Sequence, residues 1–148
     1  MPFSRLLGVY GLVVVVFFAI DLVWLWLAIP RLYKPELGER LRKRPNVPGA
    51  IAFYLIYLVG LVALAIGPAL QEGSVWAALW RGSLFGLIAY MTYDLTNQTT
   101  LKDWPLKLTV VDIIWGVIIN SIVAVVGYYG GVFLGLANPP SAAVLWGL

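Results

Sequence analysis

Residues 6–29 read LLGVYGLVVVVFFAIDLVWLWLAI, and this stretch decides the fold class of the chain. It is longer than the roughly 20 residues that an α-helix needs to cross the hydrocarbon core of a bilayer. Its one charged residue is Asp21. A carboxylate in hydrocarbon costs about 2.5–3.5 kcal/mol on insertion scales, so it normally faces a partner, a cavity or a substrate. The stretch therefore predicts a retained transmembrane helix that ends at Pro30 and carries a functionally informative aspartate.

The composition of the whole chain indicates an integral membrane protein. Of the 148 residues, 61% are hydrophobic and 11% are charged, whereas a soluble domain has about 25% charged residues. There is no Cys and no His, which excludes iron–sulfur clusters and the usual His or Cys ligation of haem and zinc. Any acid–base chemistry therefore falls to Asp, Glu, Lys, Tyr or water, and the sequence implies no particular cofactor.

Three further apolar stretches are long enough to span a bilayer. Asn46 is the predicted N-cap of the second helix, with Pro48 in its first turn. Asp103 is the predicted cap of the fourth helix, and Gly130-Gly131 is its predicted stop or kink. We expect one all-α, polytopic transmembrane domain over residues 1–148, with its helices in an antiparallel four-helix bundle. The predicted helices are residues 6–29, 49–70, 75–96 and 106–129, followed by an apolar tail at residues 130–148.

The basic residues of the chain lie mainly in two predicted loops. Six of them separate the first two helices, and two separate the last two. The positive-inside rule then places both loops in the cytoplasm and both termini on the outer side of a bacterial inner membrane. The net charge of +3 is therefore interpreted as a topology signal and not as nucleic-acid binding. The eight residues are Arg31, Lys34, Arg40, Arg42, Lys43, Arg44, Lys102 and Lys107.

Polar residues fall at a similar depth in all four predicted helices, in the cytoplasmic half of the membrane. Asp21, Asp94 and Asp112 are the aspartates of this layer, and they are the candidates for any catalytic role. Steps of three and four residues place the polar side chains of each helix on one face. Gly82-x-x-x-Gly86 predicts a close helix approach on the same face as Asp94. The ligand-binding candidates are Asp21, Trp24, Tyr54, Tyr57, Tyr90, Tyr93, Asp94, Asn97, Asp112, Trp115 and Asn120.

Basic residues near the cytoplasmic end of these helices are candidates for holding a phosphate or lipid head group. Lysine and arginine are the usual partners of such groups. The dense Asp-x-x-Asp spacing of phosphate-bound magnesium sites is absent, so no metal site is predicted. The head-group candidates are Arg31, Lys34, Lys102 and Lys107.

Residues 93–97 read YDLTN and residues 112–116 read DIIWG. With these two motifs the chain resembles an uncharacterised family of small four-helix bacterial membrane proteins, classed as a domain of unknown function. The resemblance covers almost the whole chain, including Asp21 and the LKDWP segment at residues 101–105. It implies four helices and an inner-membrane location, and it carries no established activity.

Several functions fit these features. The first is a polar, aspartate-lined pocket that binds or processes a lipid or other small amphiphile, so whether the protein is an enzyme stays open. The second is an accessory or scaffolding subunit of a larger membrane complex, whose outer face would use Gly8, Gly11, Gly127, Gly130 and Gly131. The third is a proton- or cation-coupled carrier, which would need a homodimer because four helices are few for a pathway.

Two further interpretations are less specific. Tyr, Asn and Thr side chains also satisfy one another between helices, so the polar layer has a purely structural interpretation. An intramembrane aspartyl protease would need a Gly-x-Gly-Asp motif, and Asp112 instead follows Thr109-Val110-Val111. The three membrane aspartates are more than helix association requires, which favours a functional site.

Overall fold

The computed structural model describes residues 2–138, and these residues form an all-helical protein. Four long helices follow one another along the chain. They are α1 (Phe3–Arg40), α2 (Val47–Glu72), α3 (Val75–Thr100) and α4 (Leu106–Phe133). The predicted all-α class is thus confirmed.

Three of these helices, α1, α2 and α4, are long and apolar enough to cross a membrane. Helix α3 is 26 residues long, but it does not belong to this apolar group. Its sequence carries Arg81, Asp94 and the polar run Asn97-Gln98, which lower its hydropathy. The chain is therefore a membrane protein with three candidate spans, and a fourth span through α3 stays a prediction.

Helix α1 does not end at Pro30, as the sequence predicted, but continues to Arg40. A proline inside a regular α-helix removes one hydrogen bond and collides with the carbonyl four residues earlier. Here residues Ile29–Tyr33 form a wider, π-helical turn, which closes with the Lys34 amide donating to the Ile29 carbonyl. The wide turn accommodates the proline ring, so the helix continues with a local shift of its register instead of ending.

Helix α2 contains a second wide turn. Residues Val62–Ile66 are π-helical and come just before Pro68, after which the chain returns to α-helix. At the other end, the Asn46 side chain accepts a hydrogen bond of 3.2 Å from the Gly49 amide. This confirms the predicted N-cap, with Pro48 in the first turn.

Helices α3 and α4 pack side by side in opposite directions, with their backbones in close contact. A methyl group added at Gly82 would lie 2.7 Å from the Asn120 carbonyl oxygen, and one added at Gly86 would overlap the Gly116 backbone. As residue numbers rise along α3, those of the facing positions fall along α4. The close approach predicted from Gly82-x-x-x-Gly86 is confirmed.

The glycines of α4 serve internal packing. The helix passes through Gly130 and Gly131 to Phe133, so the predicted stop at the glycine pair is wrong. Gly131 packs against the Leu70 side chain, and an added methyl group at Gly127 would collide with Ile66. These glycines therefore do not form the outer contact face that the accessory-subunit hypothesis requires.

The segment after α4 closes the end of α2. Gly135, at a positive φ of 68°, turns the chain back. Asn138 then donates from its backbone amide to the Leu70 carbonyl and from its side chain to the Gln71 carbonyl, each at 2.9 Å. These two carbonyls belong to the last turn of a helix, where no intrahelical donor is available. The remainder of the predicted tail, residues 139–148, lies outside the described residues.

The substitution Gly86→Ala tests the α3–α4 contact. Because the added methyl group would overlap the α4 backbone, we expect a loss of about 1–3 kcal/mol, the usual cost of overpacking. Thermal unfolding of the purified protein in mild detergent measures the change. Gly11→Ala is the matched control, since a methyl group there meets nothing within 4 Å. Equal unfolding temperatures for the two variants would contradict the close contact.

Candidate functional site

Five polar side chains are buried in the described part of this largely apolar protein, each with at most 6% of its surface exposed. A buried polar group is costly unless it is hydrogen-bonded, so each of these side chains requires an explanation. Four of them are candidates predicted from the sequence. The five are Asp21, Asp94, Thr109, Asp112 and Asn120.

Asp21 joins three helices. One carboxylate oxygen accepts a hydrogen bond of 2.7 Å from the hydroxyl of Tyr54 in α2. The other accepts one of 3.3 Å from the indole nitrogen of Trp115 in α4. Hydrogen bonds to a charged group are about twice as strong as those between neutral groups. The pair of donors therefore fixes α1 against α2 and α4 at this level.

Asp112 is held by a residue beyond the wide turn of α1. The Tyr33 hydroxyl donates to an Asp112 oxygen at 2.5 Å. At 100° per residue, a step of twelve residues from Asp21 would turn Tyr33 about 120° away from the Asp21 face. The wide turn absorbs about one residue, which reduces the offset to about 20°. The irregularity around Pro30 thus directs both Asp21 and Tyr33 toward α4.

Two tryptophans connect these aspartates. Trp24 and Trp115 stack face to face, with ring centroids 4.4 Å apart and ring planes 10° apart. Trp115 lies one turn along α4 from Asp112 and donates to Asp21, so the two carboxylates belong to one cluster. The Trp24 indole nitrogen is buried without a hydrogen-bond partner among the described residues.

Asn120 extends the cluster by one more turn of α4. Its side-chain oxygen accepts from the Tyr57 hydroxyl at 3.0 Å, and its amide donates to the Gly116 carbonyl at 2.7 Å. The Tyr57 ring packs against Phe17 and Phe85. Both polar atoms of the Asn120 side chain thus have a partner within the protein, which makes it a structural member of the cluster.

Asp94 differs from the other buried residues. It is 0% exposed, and neither carboxylate oxygen has a hydrogen-bond partner within residues 2–138. The register between α3 and α4 gives the position of Asp94. Ser83 bonds Ser121 near one end of the helix pair, and Thr109 donates to Gln98 near the other. Interpolation between these two facing pairs places Asp94 opposite residues 108–112 of α4. Two carboxylates, those of Asp94 and Asp112, therefore stand at the same level of one helix pair.

A polar network that the sequence analysis missed lies one turn further along. The Gln98 amide donates to the Trp104 carbonyl at 3.1 Å, and its oxygen accepts from Thr109 at 3.0 Å. The Trp104 indole nitrogen donates to the Thr109 hydroxyl at 3.0 Å. The sequence spacing indicates this network, since Gln98 follows Asp94 by four residues and Thr109 precedes Asp112 by three, so each pair shares a helix face.

The remaining α3 candidates divide by helix face. The Tyr90 ring packs on Gly116, and Asn97 is half-buried on the same face. Tyr93 is 59% exposed and packs edge-on against the Trp104 ring instead of joining the aspartates. A single residue step turns a helix by about 100°, so Tyr93 and its neighbour Asp94 face different ways.

The last part of α1, residues 33–40, which we name the arm, is fastened by three contacts to the α3–α4 loop and the first turns of α4, and we name these contacts the clasp. Besides Tyr33–Asp112, Lys107 pairs with Glu36 at 2.9 Å. Arg40 donates to the Asp103 carbonyl at 2.8 Å, with its carboxylate 3.7 Å away. The three α1 residues of the clasp are spaced by three and four positions and so share one face.

The clasp changes the roles predicted for two residues. Asp103 does not cap α4. The N-cap residue of this helix is Pro105, and no side chain forms a capping hydrogen bond there. Asp103 instead bonds Arg40, a long-range contact that local capping patterns do not reveal. Lys107 is exposed but paired with the Glu36 carboxylate, whereas its fellow head-group candidates make no ion pair among the described residues. Those are Arg31, Lys34 and Lys102.

A surface groove lies beside the clasp and not at the aspartates. Its lining is formed by the end of α1 and the loop that follows, where basic side chains predominate. At Asp21 and Asp112 the positions next to the carboxylates are taken by tyrosine and tryptophan side chains that donate to them. The groove residues are Lys34, Gly38, Glu39, Leu41, Arg42 and Lys43.

Comparison with known proteins gives one match. A family model described as predicted membrane protein (DUF2177) matches residues 6–129. No curated protein and no solved structure matches the chain. The match includes the cluster, the clasp and the α3–α4 contact, and it confirms the resemblance noted from the YDLTN and DIIWG motifs.

The substitution Tyr54→Phe tests the Asp21 contact. It removes one donor from a buried carboxylate, and we expect a loss of about 1–3 kcal/mol in unfolding free energy. Thermal unfolding in detergent measures it, with Tyr129→Phe as control because Tyr129 is 57% exposed. In an Asp21→Asn background the effect of Tyr54→Phe should shrink. An undiminished effect in that background would mean that the hydroxyl acts elsewhere.

Proposed function

The chain belongs to the DUF2177 family of predicted membrane proteins, whose function is unknown, and we propose that it binds the polar end of a lipid or other small amphiphile. The binding site is the aspartate cluster, in the cytoplasmic half of an antiparallel four-helix transmembrane bundle. The observation that carries the proposal is Asp94, a fully buried carboxylate without a hydrogen-bond partner in the described chain.

A partnerless carboxylate is costly to a protein and points to something that binds it. Leaving a buried acceptor unsatisfied costs about 1–3 kcal/mol, and more for a charged group. Asp21 and Asp112 show that this chain supplies tyrosine donors where stability requires them. The lack of such a donor at Asp94 favours a site completed by a molecule from outside the protein.

The bundle requires α3 as a fourth span. A helix of 26 residues is about 39 Å long, which exceeds the hydrocarbon thickness of about 30 Å. Its polar residues Asp94 and Gln98 lie against α4, where lipid does not reach them. The loop charges then orient the bundle in the bacterial inner membrane, with both termini on the outer side.

The ligand enters from the inner leaflet at the end closed by the clasp. Exposed basic residues, Arg31, Lys34 and Lys102, stand near that end and suit the charged surface of the cytoplasmic leaflet. The apolar part of the ligand would lie against the exposed apolar helix faces. Any processing of the ligand would fall to Asp94 and Asp112, the two carboxylates that face each other across α3 and α4.

Two other functions receive less support. Four of the five glycines that an accessory subunit would offer to a partner pack against side chains of the protein itself, as at Gly127 and Gly131, and only Gly11 is open. A carrier built from two equivalent halves would repeat its helix irregularities. Wide turns occur in α1 and α2, however, whereas α3 and α4 are regular α-helices. Amphiphile binding by a monomer or homodimer is therefore the function that we advance.

Native mass spectrometry of the protein in mild detergent tests the proposal. We expect the wild type to retain a defined additional mass, which Asp94→Asn and Asp112→Asn lose, because both substitutions remove a carboxylate from the site and keep its shape. Arg42→Ala, in the basic surface loop, should retain the mass.

The same experiment can contradict the proposal in two ways. Loosely bound bulk lipid at equal levels in all variants would favour an accessory subunit, and a search for co-purifying proteins would follow. Loss of the mass in Arg42→Ala alone would move the site from the aspartate cluster to the surface groove.

A further inference from the structure

The geometry around Asp94 points to the charge of the ligand: we infer that its polar end is a cation, a primary ammonium group held between Asp94 and Asp112. This inference rests on the proposed amphiphile site and specifies its chemical class. It differs from the phosphate-binding role that the surface lysines and arginines suggest, because those residues lie outside the cluster.

The first step concerns the donors around Asp94. Tyr33 donates to Asp112, Thr109 donates to Gln98, and Trp104 donates to Thr109. These three side-chain donors, from α1, α4 and the loop before α4, are therefore engaged with other acceptors. A ligand that completes the site must bring its own hydrogen-bond donors, which a phosphate or a carboxylate does not.

The second step concerns charge. Asp21, Asp94 and Asp112 bring three carboxylates into one buried region. In the described part of the chain, the three ion pairs are Arg40–Asp103, Arg81–Glu72 and Lys107–Glu36, and none includes these aspartates. Two buried donors have no partner among the described residues: the Arg81 Nε, which lies more than three turns along α3 from Asp94, and the Trp24 indole nitrogen, which lies in the cluster and is neutral. A cationic ligand is attracted by the negative charge of these carboxylates, whereas an anion is repelled. The low dielectric of the protein interior strengthens both interactions.

The third step concerns geometry. Asp94 and Asp112 stand at the same level of two antiparallel helices, and the Tyr33 hydrogen bond occupies one oxygen of Asp112. An ammonium group has three donors, which suits the two oxygens of Asp94 and one of Asp112. The Tyr33–Asp112 bond is also part of the clasp, so opening the clasp frees Asp112 and gives access to Asp94. In the described structure the three clasp contacts are formed, so binding at Asp94 requires them to open.

The experiment uses three single-chain probes with the same dodecyl tail: dodecylammonium, dodecyl phosphate and dodecanol. The full-length protein is placed in nanodiscs of zwitterionic phosphatidylcholine, and tryptophan fluorescence follows the titration because Trp24 and Trp115 lie in the cluster. We expect saturable binding of dodecylammonium alone. Asp94→Asn should weaken it by roughly tenfold to a hundredfold, the range for loss of a charge-assisted contact.

Two variants make the test specific. Glu72→Gln removes a carboxylate at the far end of the bundle and should bind like the wild type, which excludes a general charge effect. Asp112→Asn should weaken binding while its side-chain oxygen still accepts from Tyr33. Circular dichroism of each variant shows whether the helices are intact, and if Asp94→Asn is unfolded, Asp112→Asn carries the test.

The outcomes separate the inference from the proposed function. Equal binding of dodecylammonium to wild type and both aspartate variants overturns the inference, since the probe then only partitions into lipid. Saturable, Asp94-dependent binding of dodecyl phosphate or dodecanol overturns the cationic class and keeps the amphiphile site. If no probe saturates, the inference fails, and the native mass spectrum decides the proposed function separately: a mass retained by wild type alone keeps it.

Discussion

Burial of carboxylates inside apolar helices is the constraint on which the rest of this structure depends. Each carboxylate must find donors where water is absent, and the chain meets this need by drawing side chains from other helices. Tyr54 reaches Asp21 from α2, Trp115 reaches it from α4, and Tyr33 reaches Asp112 from α1. The helix arrangement at this level is therefore set by hydrogen bonds, while apolar packing of the core fills the other half of the protein.

The two wide turns reconcile this constraint with the prolines of the sequence. Pro30 lies within one such turn and Pro68 follows the other. In α1 the turn also shifts the helix register, so that residues on both sides of it face α4. Without the shift, Tyr33 would lie on another face, and Asp112 would lack its donor. A helix irregularity is thus a condition for satisfying a buried charge, as is common for π-turns at functional positions.

Much of this arrangement was predictable from periodicity, because Gly82, Gly86, Tyr90 and Asp94 follow one another at steps of four residues and so share a helix face. The Asn46 cap was equally visible in local sequence. The extension of α1 was not, since a proline normally ends a helix and nothing local reveals a wide turn. Asp103 has the residue type and position of a helix cap, but its partner is Arg40, and a contact so distant in sequence leaves no local pattern. Tyr93 adjoins Asp94 in the motif but faces another way, because one residue step turns a helix by about 100°.

The contact between α3 and α4 has a mechanical consequence. Where glycine backbones touch, no side chain is present to change rotamer, so these two regular helices behave as a single stiff body. The elements with irregular backbone hydrogen bonding, α1 and α2, are the ones that can flex against it. Asp94 and Asp112 then belong to the stiff helix pair, whereas Tyr33 lies beyond the wide turn of α1, in the part whose irregular backbone allows bending.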